Sequence, residues 1–217
     1  MCGRYGRRAD KQRIAAAMQA GYTNVFEEIA PSFNVAPQTL QPVVRLSRDS
    51  GERELALMRW GLIPWWAKDG KIGFSAINAK AETLTTSPAF REAFERRRCL
   101  VPAEWFYGWV RVDPKTKQSF AIALKDQSMF AFAGLWESWK DKATGERLYT
   151  YTIVTTDPNE VVVLAQSHAG HSVAEGLRSM VGAGRSRPPP RRSPPTISGR
   201  HDDGLEGEQG RRQRKER

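Results

Sequence analysis

The stretch Leu148-Tyr149-Thr150-Tyr151-Thr152-Ile153-Val154-Thr155-Thr156 puts Tyr149, Tyr151 and Ile153 at alternate positions, with threonines between them. A period of two, built from β-branched and aromatic residues, predicts a strand with one face on a core. The signature recurs upstream. Residues 42–46, 55–60, 99–102, 106–112, 119–124 and 129–136 read as strands, and residues 140–146 as a hairpin loop. Asp49-Ser50-Gly51 and Asp113-Pro114-Lys115-Thr116 have turn composition. Helical spacing appears in two places. Residues 11–20 set Ile14 and Met18 four apart, and residues 87–97 open on a Ser87 cap and Pro88 and pair Phe90 with Phe94. The proline-bracketed segment 31–37, the Trp-rich segment 60–66 and the polar segment 77–83 read as irregular. No internal repeat is present. The sum is an α+β domain, mostly β, with a few flanking helices.

The 217 residues carry a net charge of +10 and a pI near 9.9. That excess favours polyanionic partners, nucleic acid above all. Two cysteines, Cys2 and Cys99, make no disulfide framework, which predicts a reducing cytoplasm. No apolar run is long enough for a membrane span, and no signal peptide is recognisable. No Cys/His cluster has metal-ligand spacing, and neither a Gly-rich phosphate loop nor a Gly-x-Ser-x-Gly elbow occurs. Composition changes near Val163. Beyond it come Pro188-Pro189-Pro190 and the end Arg211-Arg212-Gln213-Arg214-Lys215-Glu216-Arg217. The expectation is a folded domain over residues 1–162 and a disordered basic tail over 163–217.

Candidate chemistry starts at Met1-Cys2-Gly3-Arg4-Tyr5. Once Met1 is removed, Cys2 bears an α-amine and a thiol on adjacent carbons. That 1,2-aminothiol condenses with an aldehyde to a thiazolidine. Trp65 and Trp66 suit stacking of unpaired bases, or a satellite core under a loop. Arg4, Lys80 and Arg91 suit phosphates, or a solvated basic face. Asn78 alone reads as a loop-capping Asn. Glu104 is a candidate general acid or base, or a strand-end carboxylate paired with a nearby arginine. His168 and His171 have no supporting pattern.

Six pieces occur in one order: Met1-Cys2-Gly3-Arg4-Tyr5, Phe33-Asn34-Val35-Ala36-Pro37, Arg59-Trp60-Gly61-Leu62-Ile63-Pro64-Trp65-Trp66, Ile77-Asn78-Ala79-Lys80-Ala81-Glu82-Thr83, Arg98-Cys99-Leu100-Val101-Pro102-Ala103 and Thr155-Thr156-Asp157. In this the chain resembles the SOS-response-associated peptidase (SRAP) family of abasic-site processing proteins, over residues 2 to about 160. The resemblance implies a β-rich, barrel-like domain. It implies removal of Met1 and capture of the ring-opened aldehyde of an abasic site in single-stranded DNA by Cys2, as part of the DNA-damage response. By the same resemblance Cys2 and Asn78 are the catalytic pair, and Arg4, Asn34, Trp65, Trp66, Lys80 and Arg91 contact DNA. Lys80 stands where the family usually has Arg. No cofactor or metal is implied, and a cytoplasmic monomer, nucleoid-associated when bound, is expected.

Two departures stand out. The family carries a Glu in a Phe-Tyr-Glu-Trp segment, where this chain has Phe106-Tyr107-Gly108-Trp109. The family also continues to a His in a His-x-Arg-Met-Pro motif, where this chain has Val163-Leu164-Ala165-Gln166-Ser167-His168-Ala169-Gly170-His171-Ser172. Permissible codons for Leu164 onward, read one base later, can spell Leu-His-Asn-Arg-Met-Pro-Val-Ile-Leu. A reading-frame shift is therefore expected, with impaired activity. Two alternatives remain: a non-catalytic single-stranded nucleic-acid binding module, and a thiol peptidase.

Overall fold

The computed structural model describes residues 2–22, 30–111, 115 and 117–157. The expected tail, His168, His171 and the shifted frame lie outside the described residues.

Eleven strands and two helices are described: β1 (Tyr5–Arg7), α1 (Lys11–Met18), β2 (Gly21–Tyr22), β3 (Ser32–Val35), β4 (Leu40–Leu46), β5 (Arg53–Trp60), β6 (Asn78–Lys80), α2 (Arg91–Arg96), β7 (Arg98–Ala103), β8 (Trp105–Arg111), β9 (Lys117–Ala123), β10 (Phe130–Lys140) and β11 (Arg147–Thr155). The α+β, barrel-like expectation holds. β5, β4, β7, β10 and β11 are neighbours in that order, and β5 and β11 pair with each other, so five strands close into a barrel. Closure leaves no open edge among those five. A second sheet, in the order β3-β1-β8-β9, supplies Tyr5, Val35 and Phe106 to the barrel's core.

The alternation read along residues 148–156 is what fills this barrel. Tyr151 and Ile153 face inward with Val43, Met58, Trp60, Cys99, Val101, Phe130, Phe132 and Trp136. The outward residues of the same strands are also covered. Ile14, Ala15 and Met18 of α1 pack on Val44, Leu55, Leu100 and Ala131. On another flank Ala93 of α2, with Phe90 and Phe94, packs on Leu135, Ala133 and Val154. Strands buried on both faces read as continuous apolar runs, as in Phe130-Ala131-Phe132-Ala133-Gly134-Leu135-Trp136.

α1 begins where Asp10 accepts the Arg13 amide at 2.8 Å, and it stops at Gln19 in a left-handed conformation. Three expectations need correction. The 87–97 helix is only α2, because Ser87 O accepts both Phe90 N and Arg91 N in a turn and Phe90 (φ −120°) is not helical. Residues 31–37 contain β3, paired antiparallel to β1. Residues 77–83 contain β6, paired parallel to β11, followed by a 3₁₀ turn at Ala81–Thr83. These two strands, like β1 and β2, which the sequence also did not signal, are too short to show a period, and their hydrogen bonds come from distant partners.

The seam of the barrel positions everything that follows. β11 pairs with β5 at Thr150 and Tyr151, then with β6 at Ile153, Val154 and Thr155, along the edge away from β10. The handover happens at Gly61, whose N–H donates to Tyr151 O at 2.8 Å. Gly61 has φ +125°, and a Cβ there would land on the Gly73 carbonyl. Gly61→Ala is therefore expected to destabilise the protein by about 2–5 kcal/mol, combining backbone strain with overpacking. Thermal unfolding followed by circular dichroism checks this; a melting temperature within a degree of the parent would contradict it.

Candidate active site at the barrel seam

Cys2 is fully buried and belongs to the barrel's main core cluster. Its thiol donates to Arg4 O at 3.6 Å. Its own carbonyl accepts the Asn78 Nδ2–H at 2.9 Å. Asn78 is there because β6 replaces β5 on the edge of β11, in register with Ile153. The preceding residue is pinned as well: Trp60 Nε1–H donates to Ile77 O at 2.8 Å. Asn78 Oδ1 is buried and has no partner among the described residues. An amide with one end spent on the Cys2 backbone and an unpaired oxygen at the other is set to receive a donor, such as a sugar hydroxyl.

Burial pushes the Cys2 thiol from about 9 up to about 12. Near neutral pH the resting group is therefore S–H rather than thiolate. Below Cys2 lies an aromatic floor that the sequence did not disclose as part of a site. The hydroxyls of Tyr5 and Tyr151 share a hydrogen bond of 2.9 Å, and Trp60 stacks on Tyr151 at 6.2 Å and 10°. Burial also raises both phenols, so the floor is uncharged. Only the inward parity of Tyr151, and the position of Tyr5 beside Cys2, hinted at it.

The other site candidates fall into two groups. Arg4 and Asn34 come together, with Arg4 Nη1 donating to Asn34 Oδ1 at 3.3 Å. Lys80 is exposed two residues beyond Asn78, on the same face of β6. Trp65 and Trp66 are 56% and 45% exposed, which discards the satellite-core reading, and with Lys140 and Lys142 they line an open pocket. Trp65 is oriented by Glu92, whose carboxylate accepts its Nε1–H at 2.6 Å. Arg91 is exposed beside Glu92 on α2.

Glu104 follows its structural reading. Its carboxylate accepts the backbone N–H groups of Arg8 and Ala9 and pairs with the Arg8 guanidinium at 3.5 Å. Its acceptor sites are occupied by the turn after β1, not by the site. Gly108 is placed very differently. Tyr5 pairs with Phe106, and Tyr107 N–H donates to Arg4 O. This register carries Gly108 opposite Gly3, one residue from Cys2, on the buried face it shares with Phe106. Position 108 carries only hydrogen in this chain. All three histidines of the chain, His168, His171 and His201, lie outside the described residues. Among the described residues no three His, Cys, Asp or Glu side chains form a metal-ligand group.

The thiol makes a direct prediction. Cys2 and Cys99 are both buried, and burial raises both. In the native protein near neutral pH both should resist iodoacetamide, and each should react in denaturant. The Cys2 rate should climb about tenfold per pH unit, without a plateau, towards about 12. A plateau near pH 8, read by mass spectrometry, would contradict a buried neutral thiol. The fold should also lose stability as pH climbs from about 9 towards 12, because the unfolded thiol ionises first.

Comparison with known proteins adds a separate line of evidence. The family model described as SOS response associated peptidase (SRAP) matches residues 1–171. The abasic site processing protein YoqW of Bacillus subtilis (strain 168) is 45% identical over 162 residues, covering 75% of this chain and 71% of that protein. The abasic site processing protein HMCES of Xenopus tropicalis is 32% identical over 162 residues, and this chain spans about half its length, 48%. A crystal structure of a protein from Bacteroides thetaiotaomicron superposes with a TM-score of 0.74 at 25% identity, covering 86% of this chain and 83% of that one.

Proposed function

Because this chain belongs to the SOS response associated peptidase (SRAP) family, we propose that it processes abasic sites in single-stranded DNA by forming a thiazolidine through Cys2. The observation that carries the reading is the Asn78 Nδ2–Cys2 O hydrogen bond of 2.9 Å. It fixes the backbone of the would-be N-terminal residue, next to an acceptor with no partner of its own.

The steps follow from the geometry. Hydrolysis of the Met1–Cys2 peptide bond exposes the Cys2 α-amine. The amine adds to the aldehyde carbon of the ring-opened sugar, and loss of water leaves an imine. Cys2 Sγ then bonds to the imine carbon, and its proton passes to the imine nitrogen. The condensation releases one water, balancing the one consumed in the hydrolysis, and no oxidant is needed. A neutral thiol suits this order, because the amine attacks first and the sulfur arrives by ring closure, with the high effective concentration of an intramolecular partner. Asn78 Oδ1 receives a sugar hydroxyl. Arg4 and Lys80 hold flanking phosphates, and Trp65 and Trp66 stack neighbouring bases, each worth ~1–3 kcal/mol.

The reaction is slow in this chain. General acid–base assistance is typically worth ~10²–10⁴-fold, and Gly108 offers no carboxylate. The same absence keeps a second reading open, a single-stranded nucleic-acid binding module that uses the exposed Trp65 and Trp66 without covalent chemistry. A thiol peptidase is disfavoured, because it needs a thiolate and burial opposes one.

Intact mass before and after incubation with a single-stranded oligonucleotide carrying one abasic site separates these readings. The expected result is loss of Met1 and a heat-stable adduct that Cys2→Ala abolishes. Retained Met1, or binding without an adduct, would refute the covalent reading. Gly108→Glu should raise the rate of adduct formation by about tenfold or more. No gain, in a variant with unchanged circular dichroism, would show that position 108 does not serve the reaction.

A further inference from the structure

Four strand ends meet at one end of the barrel: β4 leaves at Leu46, β5 enters at Arg53, β7 starts at Arg98 and β11 at Arg147. The gap between them is a cavity of about 240 Å³. It shares no residue with the Cys2 site. Five arginines line it, Arg45, Arg48, Arg53, Arg96 and Arg98, against one acidic residue, Glu95.

The floor is built rather than incidental. Arg45 faces into the barrel end, its guanidinium 4.6 Å from the Trp136 ring and 5.2 Å from Tyr149. Its Nε donates to Glu54 at 2.8 Å. That single bond holds the guanidinium plane and leaves its terminal N–H groups for another acceptor. A second guanidinium, that of Arg48, lies 5.4 Å from the same Trp136 ring. Arg53 gives one N–H to Met18 O. Arg48 and Arg98 have no carboxylate partner among the described residues. Elsewhere the buried Arg97 is neutralised, between Glu92 at 3.0 Å and Glu137 at 2.8 Å. Like charges gathered in a concavity repel, and a phosphate received by planar guanidinium forks removes that cost.

We propose that this Arg45–Arg48–Arg98 pocket over Trp136 binds a phosphodiester of a single-stranded nucleic acid, at a site separate from Cys2. The cavity is smaller than the ~300–1,000 Å³ usual for a whole drug-sized ligand, which suits a phosphate with its sugar. It also does not end there. An adjoining hollow shares Arg45, Ser47, Arg48 and Trp136 and runs on past Asp49 and Glu54 to Arg147, so the concavity continues as a groove with a further arginine at its far end. A repeating polyanion fills such a groove, whereas a lone anion fills one end. The choice of strand rests on the proposed function; the pocket's binding of phosphate does not depend on Cys2 chemistry.

The test uses the full chain and a lesion-free single strand of about twenty nucleotides, which offers no aldehyde to Cys2. Binding is followed by fluorescence anisotropy across a salt series. The double variant Arg48→Ala/Arg98→Ala should bind about tenfold more weakly at low salt. Its log K against log[salt] slope should fall in magnitude by about 1.4, at ~0.7 per lost phosphate contact on a single strand. Arg48→Gln, a change at an exposed side chain, should lower it by about 0.7, which keeps the test open if the double variant folds poorly. Unchanged affinity and slope in both variants would overturn the proposal. So would competition by polyglutamate as strong as by the strand, which would assign the pocket to an acidic protein segment. Stabilisation by inorganic phosphate, with strand affinity unaffected by the variants, would assign it to a free anion and overturn it likewise. Whether an abasic-site adduct forms is read in a different experiment, so failure there leaves this result standing.

Discussion

One strand edge is used twice. Having paired with β10, β11 offers its other edge first to β5, which closes the barrel, and then to β6, which does not belong to it. Backbone groups in a buried seam need partners at every step, so β5 has to turn away where β6 arrives. The turn is Gly61, in a conformation open to glycine and against a carbonyl that leaves no room for a side chain. From this constraint follow the closed barrel, the placing of Asn78 opposite Ile153, and the hydrogen bond from Asn78 to the Cys2 carbonyl. The N-terminal segment is held at the seam by the same means.

Holding Cys2 there has an electrostatic consequence. The residue sits over a floor of Trp60, Tyr5 and Tyr151, all buried, and desolvation keeps its thiol protonated. Such a sulfur is a poor free nucleophile and a good trap for an imine already formed beside it. The proposed reaction, begun by the amine and closed by the sulfur, is compatible with such a group. The hydrogen at Gly108 is the conspicuous gap in this arrangement, because the strand register brings that position to the edge of the site.

Positive charge in this protein has more than one use. Some arginines are structural. Arg7 bonds the carbonyls of Ala9 and Ala30, Arg8 pairs with Glu104, and Arg97 bridges Glu92 and Glu137. Others, Arg48 and Arg98, have no carboxylate partner among the described residues and cluster with Arg45 at the barrel end over Trp136. A net charge of +10 does not distinguish these uses. Counter-ions do, and they are visible only once the strands are placed.

The sequence by itself determined the class of the fold, most of the long strands, the first helix and the chemistry available to Cys2. A period of two is a local property, and so is the adjacency of an amine and a thiol in an N-terminal cysteine. The ordered short segments also sufficed to identify the family. The sequence was silent where a feature depends on a partner far along the chain. β3 and β6 looked like loops because their ladders are supplied by β1 and β11. The Ser87-Pro88 signal announced a helix, but the first turn did not propagate. Glu104 offered two readings until the turn after β1 claimed its oxygens. The tertiary structure alone decided that the Cys2 thiol is neutral, that Asn78 Oδ1 is unpaired and that five arginines share one hollow, because burial and charge proximity are set by contacts between residues remote in sequence.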